Sequence, residues 1–86
     1  MLESAYQKKI IDRFTKDNYY VINLIKTNRN GIADLLCLKD GEPPIFIEVK
    51  TATGKLSPLQ KFRLSEQKKL GFKVYFTKKD VLIEFN

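Results

Sequence analysis

Two carboxylates and a lysine are the residues of this chain best suited to chemistry. Asp34 interrupts an apolar run from Ile32 to Leu38, and Glu48 and Lys50 stand one residue apart at the end of a second run, Ile45 to Lys50. Carboxylates on adjacent strands, about 4.8 Å apart, can chelate one divalent ion. Such an ion neutralises a phosphate and lowers the pKa of an attacking water, while a lysine positions that water or offsets charge on phosphorus. The three side chains therefore suit metal-assisted phosphodiester hydrolysis.

The spacing Glu-x-Lys is weak evidence by itself, because a chain rich in both residues contains roughly one by chance. Glu66-Gln67-Lys68 is a second instance, but it falls in a predicted helix, where residues i and i+2 point apart. A strand places i and i+2 on one face, so Glu48 and Lys50 can share a site with Asp34. The alternative is a turn acid at Asp34 and a salt-bridged strand surface at Glu48 and Lys50. An unpaired carboxylate in apolar surroundings is costly, which favours the metal site.

Charge and cysteine content narrow the possible partners. Lys and Arg number 16 against 10 Asp and Glu, which gives a net charge of +6. A basic surface of this kind indicates a polyanionic partner, although a solubilising bias is an equal alternative on charge alone. The chain has one cysteine, Cys37, and no histidine, so a Cys/His zinc site is excluded and any metal must be held by oxygen.

The length of 86 residues predicts a single domain, 1–86. No apolar run approaches the roughly 18 residues that span a bilayer, and the first residues lack the features of a signal peptide. We therefore expect an intracellular, cytoplasmic protein with no membrane partner.

Periodicity predicts two helices and five strands in the order α-β-β-β-α-β-β. The first helix carries apolar residues at spacings of three and four, and the second is capped by Ser57, begins at Pro58 and ends before Gly71. The second strand is expected to be central, because it is apolar on both faces. The predicted ranges are a helix from Leu2 to about Asp17, strands Tyr19–Ile25, Ile32–Leu38 and Ile45–Lys50, a helix Pro58–Leu70, and strands Lys73–Thr77 and Val81–Phe85.

Three segments together resemble the VRR-NUC (virus-type replication-repair nuclease) family of the PD-(D/E)XK nuclease superfamily. They are Gly31-Ile32-Ala33-Asp34, Ile47-Glu48-Val49-Lys50 and Gly54-Lys55-Leu56-Ser57-Pro58-Leu59-Gln60. Ala33 departs from the superfamily pattern, which has proline before the aspartate, but that proline carries no chemistry. The resemblance implies an α/β, restriction-endonuclease-like fold with a central mixed sheet flanked by helices.

The resemblance also implies roles for individual residues. Asp34 and Glu48 would bind Mg²⁺ or Mn²⁺ with the carbonyl of Val49, and Lys50 would be the catalytic lysine. Gln60 would reach the site from the second helix, and Glu3 matches a glutamate of the first helix that binds the metal. Glu3 also falls on the apolar side of the first helix, where an acid is unexpected. The alternatives are a first-turn carboxylate that favours the helix dipole at Glu3 and an ordinary exposed glutamine at Gln60.

Basic residues around these segments are expected to border one cleft for DNA phosphates. No base-reading motif accompanies them. The candidates are Lys26, Arg29, Lys55, Lys61 and Arg63.

The leading hypothesis is a metal-dependent, structure-selective DNA endonuclease acting in repair on four-way (Holliday) junctions, as stand-alone phage and bacterial members of the family do. A homodimer would supply the two sites that a junction requires. Its interface is expected at Leu64, which falls off the apolar stripe of Leu59, Phe62 and Leu70, or at the run Val81 to Phe85. The alternatives are a non-catalytic nucleic-acid-binding module and a nuclease for flaps or duplexes within a larger complex.

Overall fold

A computed structural model describes residues 1–86. It contains two helices and five strands in the predicted order α-β-β-β-α-β-β. The predicted second strand, Ile32–Leu38, is shorter than expected and begins at Leu35. The helices are α1 (Glu3–Lys16) and α2 (Pro58–Lys69), and the strands are β1 (Tyr20–Asn23), β2 (Leu35–Leu38), β3 (Ile45–Glu48), β4 (Lys73–Lys78) and β5 (Val81–Glu84).

The strands form one mixed sheet in the order β1-β2-β3-β4-β5. Every adjacent pair is antiparallel except β3 and β4, which are parallel and joined through α2. Parallel neighbours need such a crossover. The prediction that β2 lies inside the sheet is confirmed, although β3 holds the middle position. The apolar pattern of β2 reflects an interior strand, hydrogen-bonded to β1 and β3.

The helices lie on opposite faces of the sheet, and each face follows the alternation along β3. Ile45, Ile47 and Val49 are buried in one cluster with the α1 residues Tyr6, Ile10 and Phe14. Phe46 packs into a second cluster with Leu64 of α2 and Val74 of β4. Because side chains alternate along a strand, Glu48 shares the α2 side of the sheet with Phe46.

The inward face of α2 differs from the prediction. Leu59, Phe62 and Leu70 are 43%, 56% and 74% exposed, whereas Leu64 is fully buried. The helix turns Gln60, Leu64 and Gln67 towards the sheet, at spacings of four and three. Two of these residues are polar, so the periodicity of apolar residues indicated the wrong side. Leu64 is therefore not available for a dimer interface.

Most of the C-terminal run from Val81 to Phe85 also packs against the core. Leu82 and Phe85 pack against the two apolar clusters, and of this run's large apolar residues Val81 is the one left well exposed, at 58%. Neither helix is both long enough and apolar enough to cross a bilayer.

Candidate active site

Asp34 and Glu48 lie opposite each other at the open end of the β2–β3 hairpin. The antiparallel register pairs Leu35 with Ile47, so the next pair outward is Asp34 with Glu48. Asp34 stands one residue before β2, where its Oδ2 accepts a hydrogen bond from the backbone N–H of Val49 at 2.8 Å. The hairpin and this hydrogen bond together hold the Asp34 carboxylate against the end of β3.

A third carboxylate joins this pair from the first residue of α1. Oxygens of Glu3, Asp34 and Glu48 all lie within 4.8 Å of one another. Glu48 is only 2% exposed, Asp34 is half-buried and Glu3 is exposed. We refer to these three residues as the acid cluster. Its open side is the one where Glu3 stands.

Burial and like charge act strongly on Glu48. Withdrawal from water, together with the neighbouring charges of Asp34 and Glu3, raises the pKa of this carboxyl to about 8 against the opposing charge of Lys50. Three carboxylates this close repel one another unless a proton or cation stands between them. The donor set therefore fits a divalent cation, which prefers carboxylate oxygens.

Lys50 borders the acid cluster and is held through its backbone. Its Nζ lies 3.6 Å from Glu48 Oε2, and its side chain is 13% exposed. Its backbone N–H donates to Thr77 Oγ1 at 2.9 Å, and the same hydroxyl donates to the Lys50 carbonyl at 3.2 Å. Thr77 is fully buried on β4, and its side chain extends the pairing of the two strands beyond Glu48. Sequence reasoning missed Thr77, because nothing in the sequence gives the register of β3 and β4.

Gln60 connects the start of α2 to the acid cluster. Its backbone N–H donates to Ser57 Oγ, and its own Oε1 accepts from the Ser57 N–H at 2.9 Å, which completes a capping box. Its Nε2 donates to Glu48 Oε2 at 3.2 Å. One side chain thus closes the helix end and orients the buried carboxylate, so it is not an ordinary exposed glutamine.

The basic residues border two hollows rather than one cleft. The first, which we call the Asp34 hollow, is lined by Lys26, Arg29, Asn30, Asp34 and Gln60 among others. The second, the Lys50 hollow, is lined chiefly by Lys50, Lys55, Leu56, Lys61, Phe76 and Lys78. Each contains a residue of the acid cluster or one in contact with it, so the hollows flank the site. Lys78 was not among the sequence candidates.

Arg63 lines neither hollow, because its guanidinium is used inside the fold. Its Nε donates to the Asn30 carbonyl at 2.9 Å, and its Nη1 bonds Glu66 at 2.8 Å. The bond to Asn30 fastens α2 to the loop that leads into Asp34, and the bond to Glu66 lies within α2. Gly31 in that loop has a φ of +77°, and a Cβ on it would lie 2.7 Å from Leu59 Cγ. Both reasons require glycine where loop and helix meet.

Comparison with known proteins identifies the family. A family model described as the VRR-NUC domain matches residues 2–78. This chain belongs to the VRR-NUC family. A solved structure described as a VRR_NUC domain aligns with a TM-score of 0.81 and 28% identity, over 91% of this chain and 85% of that one. A search of curated proteins found no match.

Membership confirms the family resemblance and the PD-(D/E)XK-like fold expected from the three sequence segments. The VRR-NUC domain is a nuclease domain, and a nuclease domain of this kind takes DNA as its substrate.

Proposed function

We propose that this VRR-NUC domain is a Mg²⁺- or Mn²⁺-dependent DNA endonuclease whose metal is held by Glu3, Asp34 and Glu48, with the Val49 carbonyl as a further ligand. The observation that carries the proposal is the convergence of three carboxylates within 4.8 Å. The raised pKa of Glu48 supports it, because the cluster is electrostatically unsatisfied without a cation.

The bound metal would neutralise the scissile phosphate and acidify the attacking water. The protein's own groups have complementary tasks. The positively charged ammonium group of Lys50 faces the phosphate from the side of Glu48. Gln60 holds one oxygen of Glu48 in place, and the Val49 N–H does the same for Asp34. Thr77 fixes the backbone that carries Lys50, so that the lysine approaches from a constant direction.

The proposed substrate is branched DNA, especially the four-way junction, cut by a homodimer. Resolving a junction requires nicks in two strands related by two-fold symmetry, whereas one chain carries one acid cluster. A C₂ dimer supplies both sites. Exposed apolar residues on the outer face of α2, Leu59 and Phe62, offer a surface for such a contact.

The test is cleavage of labelled four-way junction, flap and linear duplex, each with Mg²⁺, with Mn²⁺ and with EDTA. We expect metal-dependent cutting that is fastest on the junction. Faster cutting of the flap would favour the alternative that the protein is a flap or duplex nuclease within a larger complex. Tight binding without cutting in either metal would favour a non-catalytic nucleic-acid-binding module.

Variants make the assay specific to the proposed residues. Asp34→Asn and Lys50→Ala should each leave less than about a tenth of the cleavage rate, with DNA binding retained. Glu66→Gln is the matched control, because it alters the other Glu-x-Lys, on α2, where Glu66 pairs with Arg63. A damaging Glu66→Gln beside a harmless Lys50→Ala would overturn the site assignment.

A further inference from the structure

The Lys50 hollow combines positive charge with an apolar wall. It encloses about 300 Å³, and four lysines line it: Lys50, Lys55, Lys61 and Lys78. Phe76 and Leu56 supply the apolar wall, and no acidic residue lines the hollow. The hollow is therefore built for an anion that also carries an apolar surface.

The hollow begins one strand away from the acid cluster. In the parallel register of β3 and β4, Phe76 is the direct partner of Glu48. Adjacent strands lie about 4.8 Å apart, so Phe76 and Glu48 are next to each other on the α2 side of the sheet. Lys78 is the last residue of β4 and lies beyond Phe76 on the same side. A strand of DNA whose phosphate sits at the acid cluster can continue directly into this hollow.

The opposite flank of the site has a different chemistry. The Asp34 hollow combines Lys26 and Arg29 with a carboxylate and with mostly polar surface, and the apolar residues that line it, Leu24, Ile25 and Ile32, are aliphatic and not aromatic. It suits contacts with a sugar-phosphate backbone. The asymmetry indicates that the two sides of the cut are bound in different ways.

An apolar wall is useful only to DNA that exposes a base. In a duplex the bases are stacked and paired, and phosphates face outward. An unpaired nucleotide offers a free base face, which stacks on aromatic side chains, while lysines bind its phosphates. We propose that the Lys50 hollow binds an unpaired nucleotide of the strand leaving the acid cluster, with its base against Phe76 and its phosphates on Lys55, Lys61 and Lys78.

This subsite rests on the proposed nuclease function and makes it more specific. DNA with a nucleotide that is unpaired beside the scissile bond, or that unpairs there at a branch point, fills the hollow, whereas continuous duplex leaves its apolar wall without a partner. Lys78 becomes a DNA-contacting residue, and Phe76 a residue that selects unpaired DNA.

Binding measured by fluorescence anisotropy in EDTA tests the subsite without cleavage. The probes are a short oligothymidylate, an abasic oligonucleotide with the same number of phosphates, and a blunt duplex. The wild-type protein should bind oligothymidylate about fivefold or more tightly than the abasic strand, as one stacked base provides. Phe76→Leu keeps an apolar side chain in the fold and should remove most of that difference.

Lys78→Ala and Lys73→Ala form a matched pair, since they remove the same charge from opposite ends of β4. Lys78→Ala should weaken binding of oligothymidylate and reduce its salt dependence by about one phosphate contact, whereas Lys73→Ala should change neither. Thermal melts of all three variants verify that they fold.

Two results would overturn the inference: equal wild-type affinity for the oligothymidylate and abasic strands, or equal effects of Lys78→Ala and Lys73→Ala. Neither depends on metal or turnover. If metal-dependent cutting fails while these differences persist, the proposed function falls and the binding site stands. If cutting persists while the differences are absent, the inference alone falls.

Discussion

The Gln60 amide donates a hydrogen bond to Glu48 Oε2 at 3.2 Å while its oxygen accepts one from the backbone of Ser57 at 2.9 Å. The start of α2 and the most deeply buried carboxylate of the acid cluster are therefore joined by one side chain. A change at this position has to be separated into its effect on the helix and its effect on the site.

Comparison of Gln60→Ala with Ser57→Ala separates the effect on the helix from the effect on the acid cluster. Loss of an N-cap contact lowers the free energy of unfolding by about 0.5–2 kcal/mol, and both variants should show it in urea denaturation. Only Gln60→Ala also removes the donor to Glu48, so only this variant should lose a large part of its cleavage rate. Equal activity in the two variants would limit Gln60 to capping.

The pH dependence of metal binding follows from Glu48. Its pKa of about 8 in the folded protein lies above its ordinary value of 4.5, so the folded state holds this proton more tightly than the unfolded chain. Without metal, the stability that this proton contributes is complete below about pH 4.5 and is lost as the pH rises through about 8.

A divalent cation needs the deprotonated carboxylate, so its apparent affinity should weaken by about tenfold for each pH unit below 8. Calorimetric titration with Mn²⁺ at several pH values measures this directly. Glu48→Gln is the control, because it should bind weakly at every pH. Equal wild-type affinity at pH 6 and pH 8 would contradict the charge state assigned to Glu48.

Glu3→Gln tests whether the exposed carboxylate at the start of α1 belongs to the site. A first-turn acid stabilises the helix dipole by about 0.3–1 kcal/mol, so the melting temperature should change little. Loss of one metal-binding charge should nevertheless reduce Mn²⁺ affinity and cleavage strongly. A melting loss with normal metal affinity would return Glu3 to a helix-stabilising role.

The parts of the site that could be predicted from sequence are those brought together by short-range geometry. A hairpin places Asp34 beside Glu48, strand alternation places Lys50 on the same side, and helical spacing places Glu3 on the side of α1 that carries the buried Tyr6 and Ile10. Thr77 and Lys78 could not be found in this way. They reach the site through the parallel pairing of β3 with β4, whose register is set by the packing of α2 and not by any local pattern.

The inward face of α2 was misread for a related reason. Apolar spacing indicates the buried face of a helix only when apolar residues fill that face. Here Gln60 contacts the acid cluster, Gln67 is buried, and Leu64 is the one apolar residue of α2 that is fully buried. Leu59 and Phe62 are left exposed on the outside. Gln60 donates a hydrogen bond to Glu48 of the acid cluster, whereas the Gln67 side chain has no hydrogen-bond partner.

Gln67 should therefore be replaceable with a gain in stability. Its side chain is 4% exposed, and neither its Nε2 nor its Oε1 has a hydrogen-bond partner. A buried polar group without a partner costs about 1–3 kcal/mol, so Gln67→Met, which preserves length, should raise the free energy of unfolding by about 1 kcal/mol. For a domain of this size that corresponds to a melting temperature higher by about 4–8 °C.

Gln7→Met is the control, because the Gln7 amide donates to Asn23 Oδ1 at 3.1 Å. Loss of this satisfied amide should not raise the free energy of unfolding. Cleavage should be unchanged in Gln67→Met, since Gln67 touches neither the acid cluster nor the Lys50 hollow. Destabilisation by Gln67→Met would mean that the amide is satisfied in solution, for which an internal water is the available partner. The position would then be a hydrated part of the core, which an apolar side chain disrupts.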